Sequence, residues 1–165
     1  QFVIFFCIIL TRGGKMNIDI TKLRSNYEKL INIDEEINNI TEGLEGTDIK
    51  KIKNLKINGY IDRDVLDEYH IYLKIEGTLI LECAITLKDV EYPISVEIDD
   101  NYEDLMAEIG ENVKNITNSL DIWPIVWHNV LLVVPMRVVS PGAEVEITKG
   151  EGWKFIRSEN NEKEV

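Results

Sequence analysis

Cysteine, histidine and proline are all scarce in this chain. Its 165 residues include two cysteines, two histidines and four prolines. Cys7 lies in an apolar segment at the start of the chain, so only Cys83 remains in the body of the sequence. A lone cysteine excludes an internal disulfide and a cysteine-based zinc site. This cysteine usage is typical of a cytoplasmic protein.

Basic residues are also few. The chain has 18 Lys and Arg against 30 Asp and Glu, which gives a formal net charge of −12. From residue 16 onwards, without Arg12 and Lys15, the balance is 16 against 30, or −14. Such a chain repels phosphate backbones, which argues against a general nucleic-acid binder and against DNA as a partner. A basic protein partner suits this charge better.

Residues 1–15 differ from the rest of the chain. Their apolar run is too short to span a bilayer, which takes about 20 residues. No basic stretch precedes the run, and no A-x-A-like cleavage site follows it. Arg-Gly-Gly-Lys-Met (12–16) can be encoded by AGA-GGA-GGA-AAA-ATG, a purine tract typical of a bacterial ribosome-binding site before a start codon. We therefore expect residues 1–15 to be non-native upstream sequence and the protein to begin at Met16; the alternative is a truncated membrane segment.

The remaining sequence is long enough for a single domain, which we place at residues 16–156. Apolar residues at helical spacing between Met16 and Ile40 predict an N-terminal helix. The acidic, glycine-containing stretch 35–48 predicts a flexible connector. The charged end of the chain, 157–165, predicts a disordered tail.

Strand patterns dominate from Ile49 to Ile98. Ile71, Leu73 and Ile75 alternate with polar residues, and the alternation from Val90 to Ile98 includes Pro93, which predicts an edge or bulged strand. Gly59 and Gly77 interrupt strand patterns and are expected at bulges or tight bends.

The acidic segment that follows, 99–119, predicts a loop, and the most apolar segment of the chain comes after it. In "LDIWPIVWHNVLLVVPMRVV" (120–139), Asp121 can cap a helix, Pro124 suits its first turn and Pro135 ends it. The predicted fold class is α+β. We expect a twisted antiparallel sheet or partial barrel packed against one apolar helix, plus a short N-terminal helix.

Candidate groups for catalysis or metal binding are few. His70 and His128 do not have the spacing of a metal or catalytic motif, and each is predicted to be structural. The acidic run Asp62, Asp64, Asp67 and Glu68 lacks the glycine and terminal glutamate of a calcium loop, so it predicts a charged turn. Phosphate-binding and dinucleotide-binding glycine motifs are absent from the sequence. We therefore expect no catalytic residue, metal or cofactor.

Two further clusters have an ordinary structural interpretation. Lysines 50, 51, 53 and 56 form the one local basic patch, which is more typical of the solubility pattern of an edge strand than of a phosphate site. Trp123 and Trp127 lie four positions apart on the predicted helix, which favours a place in the core over a binding hot spot. The alternative to a binding protein is a metal-dependent nuclease or small hydrolase whose carboxylates converge only in the fold.

Two segments carry a more specific pattern. "LILECAITLKDVEYPI" (79–94) contains Cys83, Leu87 and the pair Tyr92-Pro93, and "LDIWPIVWHNVLLVVPMRVVS" (120–140) contains Asp121, Leu131, Leu132, Pro135 and Met136. Gly59 and Gly77 lie within strands, the sequence from Met16 begins "MNIDITKLR", and "GWKFI" (152–156) comes near the end. In order and spacing these blocks resemble the YceD family, the large ribosomal RNA subunit accumulation proteins, in the form found in Gram-positive members.

The resemblance implies a cytoplasmic, non-enzymatic ribosome biogenesis factor that supports the accumulation or processing of 23S ribosomal RNA. The implied partner is a ribosomal protein or a pre-large-subunit particle, with ribosomal RNA as a further contact and without DNA or a membrane. The matched positions have no assigned role. Thr86 stands where the family signature has a second cysteine, and Ala84-Ile85 replace Ser-Arg. Neither a zinc role nor an RNA contact by that arginine carries over to this chain.

Overall fold

The computed structural model describes residues 16–111, 118–141, 149–150 and 153–154. Residues 1–15, which we expect to precede the native protein, and residues 157–165, predicted as a disordered tail, lie outside the described residues. No helix in the described part of the chain is long and apolar enough to cross a membrane.

Four long strands are the largest elements of the described structure. The elements in chain order are β1 (Asn17–Asp19), α1 (Thr21–Arg24), β2 (Leu30–Ile40), β3 (Ile49–Arg63), β4 (Tyr69–Glu82), β5 (Asp89–Asn101), α2 (Tyr102–Glu108), β6 (Ser119–Asp121), α3 (Trp123–Leu132), β7 (Lys149–Gly150) and β8 (Trp153–Lys154). Strands β2 to β5 pair antiparallel in chain order, β1 pairs with β6, and β7 pairs with β8. The sheet of β2 to β5 therefore has β2 and β5 at its edges.

The predicted alternation along the sheet is confirmed. On β4, Ile71, Leu73 and Ile75 are fully buried, whereas the intervening side chains are partly exposed. On β5, Ile94 and Ile98 are buried on the same side of the sheet. Pro93 lies on this edge strand, as predicted, where its missing N–H breaks no ladder.

Three short helices accompany the sheet, so the α+β class is confirmed in its coarse form. The buried residues of α2 and α3 join the same apolar core as the strands; they are Tyr102, Leu105, Met106, Ile125, Val126 and Val130. The segment predicted to be an acidic loop thus contains α2, and the described residues do not show a single apolar helix as the sheet's partner. Trp123 and Trp127 are partly buried, pack against this core and stack with ring centroids 6.2 Å apart.

Two predictions for the first part of the domain are wrong. Leu30–Ile40 is the strand β2, and only Thr21–Arg24 is α-helical between Met16 and Ile40. The helical backbone of α1 ends at Arg24, and two residues later Asn26 has a left-handed φ of 56°. Residues 35–48 are not a free connector either, because β2 occupies their first part and Ile37, Ile40 and Leu44 are buried. Ile31, Ile33 and Ile37 follow a strand period that the many polar residues of "LINIDEEINNI" concealed. Ile40 is buried three positions after Ile37, beyond Asn39 with its left-handed φ of 56°.

Gly59 and Gly77 are also placed differently from the prediction. Both occupy regular ladder positions, Gly59 opposite Leu73 and Gly77 opposite Leu55, while the nearby irregularity falls between Ile52 and Asn54. A Cβ at Gly59 would overlap the carbonyl oxygen of Tyr72 and lie 2.9 Å from the Cα of Leu73. Neither glycine is itself a bulge; glycine is required because the neighbouring backbone lies too close for a side chain.

Replacing Gly59 with alanine should therefore destabilise the protein strongly. Because the added methyl group meets backbone atoms of β4 rather than a flexible side chain, we expect Gly59→Ala to lower the free energy of unfolding by about 3 kcal/mol or more. Urea unfolding followed by circular dichroism measures this change. Asn58→Ala, at the adjacent and partly exposed position on β3, is the control and should cost less than about 0.5 kcal/mol. Equal stability of the two variants would contradict the close approach at Gly59.

Glu35 offers a second test, on the edge strand β2. It pairs with Ile57 and faces the inner side of the sheet, where burial, and secondly the Asp34 carboxylate, raises the pKa of Glu35. A carboxyl whose pKa is raised by folding weakens stability where it is ionised, and this penalty disappears as pH falls. Glu35→Gln should therefore raise the free energy of unfolding at neutral pH, by less than about 1 kcal/mol, and this gain should disappear as the pH falls below about 4.5, the ordinary pKa of a glutamate. Glu36→Gln, on the exposed side of the same strand, should give no such gain.

Candidate functional site

The candidate functional site lies on the side of the four-stranded sheet that points away from the core, in the four cross-strand rows nearest the turn between β3 and β4. We call these four rows the outer face. Their side chains come from alternate positions on the four strands. They are Leu30, Asn32, Asp34 and Glu36 of β2; Lys56, Asn58, Tyr60 and Asp62 of β3; His70, Tyr72, Lys74 and Glu76 of β4; and Ser95, Glu97, Asp99 and Asn101 of β5. All of these side chains are partly or fully exposed.

Two stacked tyrosines lie at the centre of the outer face. Tyr60 and Tyr72 are directly opposite each other on β3 and β4, and their ring centroids are 5.4 Å apart with an interplanar angle of 28°. Asn32 of β2 and Asp99 of β5 complete the same cross-strand row. An aromatic pair on an exposed sheet face offers a flat, apolar surface bordered by polar groups.

His70 lies in the next row and contacts two carboxylates. Its Nε2 is 2.7 Å from Oδ1 of Asp99, and its Nδ1 is 3.3 Å from Oδ1 of Asp62. His70 is therefore a half-exposed strand residue, as predicted, and Asp62 belongs to the outer face. These contacts fix the ring between β3 and β5.

The other members of the acidic run form the turn between β3 and β4, as predicted. Oδ1 of Asp64 accepts hydrogen bonds from the amides of Leu66 and Glu68 at 2.8 and 2.9 Å, and Asp67 pairs with Arg63 at 2.6 Å. In the part of the chain that the structure describes, no three His, Cys, Asp or Glu side chains converge as metal ligands would.

Negative charge predominates on the outer face. It carries six carboxylates and two lysines, and both lysines are paired, Lys56 with Glu36 at 3.9 Å and Lys74 with Glu76 at 2.9 Å. Among the described residues, no Lys, Arg or His nitrogen lies within 4.0 Å of the carboxylates of Asp34 or Glu97. The negative charge without a partner therefore collects around the tyrosine pair.

The predicted lysine patch is neutralised by neighbouring acids. Lys50 lies 2.8 Å from both Glu82 and Asp89, and Lys53 lies 2.7 Å from Glu91. β3 is an interior strand, so the interpretation of these lysines as edge protection is wrong. Lys56 pairs with Glu36 of β2 at 3.9 Å, so among the described residues Lys51 is the one lysine of the patch with no carboxylate within 4.0 Å. These ion pairs leave little free positive charge for a phosphate.

A cleft of about 380 Å³ lies at the opposite end of the sheet, between the end of β4 and residues 135–138. Cys83 lines it and is fully buried. The Cys83 sulfur accepts hydrogen bonds from Oγ and N of Ser140, at 3.5 and 3.4 Å, and from N of Thr86, at 3.4 Å. These donors, those of Ser140 first, lower the pKa of the Cys83 thiol from 9.0 to about 6. The thiol thereby ties residues 83–88 to the segment that follows α3.

The structure brings two of the eight family-motif positions, Cys83 and Pro135, together at this cleft. Leu87 does not line it, but the amide of Leu87 donates a 2.9 Å hydrogen bond to the carbonyl of Cys83. Tyr92 and Pro93 lie apart from it on the edge strand β5, and Gly59 and Gly77 lie within the sheet.

Asp121 was predicted to be the N-cap of the helix, but the N-cap of α3 is Ile122, and Asp121 lies one position before it. Its Oδ1 accepts hydrogen bonds from the amide of Trp123, at 3.1 Å, and from that of Met16, at 3.0 Å. α3 ends at Leu132, three positions before Pro135, and His128 is partly buried on this helix. Asp121 thus joins the start of the described chain to the first turn of α3.

The chain is similar to a protein of Bacillus subtilis (strain 168) that carries the name "Uncharacterized protein YlbN". The two are 26% identical over 141 residues, which cover 79% of this chain and 77% of the relative. No family model matches the chain, and no solved structure matches it. The relative's name states no activity, and the resemblance to the YceD family stays a prediction.

Cys83→Ser tests the environment of the buried thiol. A thiol whose pKa is lowered by folding adds stability that is fully present above its unfolded value, near 9, and is lost as pH falls through about 6. The free energy of unfolding of the wild type, relative to Cys83→Ser, should therefore rise between these two pH values. Urea titrations across this range measure the difference. Ser140→Ala, which removes one donor, should reduce the rise, and a pH-independent difference would contradict the assignment.

Proposed function

We propose that this protein is a non-enzymatic factor in the assembly of the large ribosomal subunit. It supports the accumulation or processing of 23S ribosomal RNA in the cytoplasm by binding a basic ribosomal component, either a ribosomal protein or a pre-large-subunit particle that exposes one. The resemblance of two segments to the YceD family supports the ribosomal role. The distribution of charge supports binding of a basic partner as the way in which the protein acts.

The observation that carries the proposal is the outer face. A partner rich in lysine and arginine is attracted to a surface with six carboxylates, of which those around Tyr60 and Tyr72 lack a lysine or arginine partner among the described residues. Such complementarity raises association rates and selects the sign of the partner's charge. It also disfavours direct docking of an RNA backbone on the same face.

Binding of this kind would assist assembly in a simple physical way. A free basic protein attaches to any RNA phosphate, because counterion release makes that binding strong and independent of sequence. An acidic surface that covers the cations prevents such contacts until the correct RNA site displaces it. The attraction acts over about 8 Å at physiological ionic strength, so it is lost at high salt.

Depletion of the protein in its own cells tests the proposal. We expect the ratio of large-subunit to small-subunit ribosomal RNA to fall, with precursor particles accumulating below the mature large subunit in sucrose gradients. The protein itself should sediment with those particles at low salt and leave them at high salt. An unchanged ratio after depletion would contradict the role. Cleavage of a ribosomal RNA precursor by the purified protein with Mg²⁺ would instead favour the nuclease alternative.

A further inference from the structure

We propose that the tyrosine pair and its surrounding carboxylates bind arginine side chains of an extended protein segment, with arginines at alternate positions. This inference rests on the proposed function, since it names the chemistry by which a basic component would be recognised. It identifies the occupant of the outer face as an arginine-rich segment rather than as positive charge in general.

The first argument is the aromatic surface. Tyr60 and Tyr72 are partly exposed and stacked on the outer face, so ring surface is available beside the carboxylates. A guanidinium group is planar and weakly hydrated, and it stacks favourably on the faces of such rings. A lysine ammonium is compact and strongly hydrated and gains less from the same surface.

The second argument is the position of the carboxylates. Asp99 is directly opposite Tyr72, and directly opposed side chains in an antiparallel pair have Cβ atoms about 4.5–5.5 Å apart. A guanidinium stacked on Tyr72 therefore reaches Asp99, where its fork can donate two hydrogen bonds. Oδ1 of Asp99 also contacts Nε2 of His70, in the adjacent row, at 2.7 Å. The two oxygens of a carboxylate can accept about four hydrogen bonds, so Asp99 can still accept from a guanidinium.

The third argument is the spacing of the rows. Asp34 and Glu97 lie in the row next to that of the tyrosines, each two residues away on its strand from the member of the tyrosine row. Two residues of strand span about 6.6–6.8 Å, the same distance that separates alternate side chains of an extended peptide. An Arg-x-Arg segment aligned with the strands thus places one guanidinium at the tyrosine row and the next at the row of Asp34 and Glu97.

Lys74 occupies the centre of that second row, but its Nζ is drawn 2.9 Å from Glu76, in the row beyond. The pKa of Lys74 is raised first by Glu76 and to a smaller extent by Glu97, but neither Asp34 nor Glu97 lies within 4.0 Å of its Nζ, so both carboxylates can accept an incoming cation. A nucleobase could also stack on the rings. The phosphates attached to it would, however, enter the field of these same carboxylates, so the charge favours an arginine-rich protein segment over single-stranded RNA.

The experiment compares two peptides on the full-length protein. Fluorescently labelled GRGRGRG and GKGKGKG have equal charge and similar flexibility, and fluorescence polarisation at low salt gives the affinity of each. We expect the arginine peptide to bind at least about 5-fold more tightly, because stacking and bidentate pairing apply to it alone. Binding of both peptides should weaken as salt is added.

Matched variants locate the site. Tyr72→Leu should remove most of the preference for arginine, whereas Tyr27→Leu, at a tyrosine that is 80% exposed elsewhere, should not. Asp99→Asn should weaken the arginine peptide about 5-fold or more, whereas Glu108→Gln, which removes an exposed carboxylate on α2, should have little effect. Asp99 is exposed on an edge strand, so its variant keeps the test valid even if Tyr72→Leu fails to fold.

Three results would overturn the inference. They are equal affinity for the two peptides, equal losses in Asp99→Asn and Glu108→Gln, and tighter binding of a single-stranded RNA that Tyr72→Leu abolishes. Selective arginine binding together with a normal ribosomal RNA ratio after depletion would keep this site and reject the ribosomal role. A lowered ratio without arginine selectivity would reject this site alone.

Discussion

Ile71, Leu73 and Ile75 of β4 are fully buried on one side of the sheet, while His70, Tyr72 and Lys74 between them face the other side. Burying each such aliphatic side chain contributes about 1.5–3 kcal/mol, so the alternation fixes which side of β4 meets the core. A slip of one residue would expose all three and bury a histidine and a lysine. The register of β4 with its two neighbours is therefore strongly specified, and the remaining strands and helices assemble on the side that it buries.

The same register creates the outer face. The antiparallel pairing that places Gly59 against Leu73 also places Tyr60 against Tyr72 and Asp62 against His70. A glycine at position 59 allows the backbones of β3 and β4 to approach closely. The packing on the buried side of these strands therefore also fixes the positions of the side chains on the outer face. The tyrosine stack is thus held by a rigid sheet rather than by a loop, which preorganises it for a ligand.

The secondary structure could be predicted where buried residues recur at a regular spacing, and it could not be predicted where charged residues obscured that spacing. The strands from Ile49 to Ile98 were predictable because their apolar residues alternate, whereas β2 was not, because the helical spacing of Ile20 and Leu23 continued into its first residues. α2 buries only three side chains within an acidic segment. The outer face could not be predicted at all, since Tyr60 and Tyr72 become neighbours only when the turn between β3 and β4 fixes the register. The motif positions Cys83 and Pro135 could not be placed together for a similar reason, because they meet at a cleft formed by segments distant in sequence.

The two ends of the sheet carry different charge, which the net charge of the chain conceals. At the end near Cys83, Lys50 and Lys53 pair with acids of β4 and β5, so the carboxylates there are compensated. Toward Tyr60 and Tyr72, Lys56 pairs with Glu36 and Lys74 pairs with Glu76, both outside the ring row. Acidic residues in excess would repel each other wherever they lay. In this protein the carboxylates without a lysine partner lie beside an exposed aromatic pair, whereas those at the other end of the sheet are paired with lysines. The excess negative charge is therefore concentrated at one place, as expected of a surface that binds a cation.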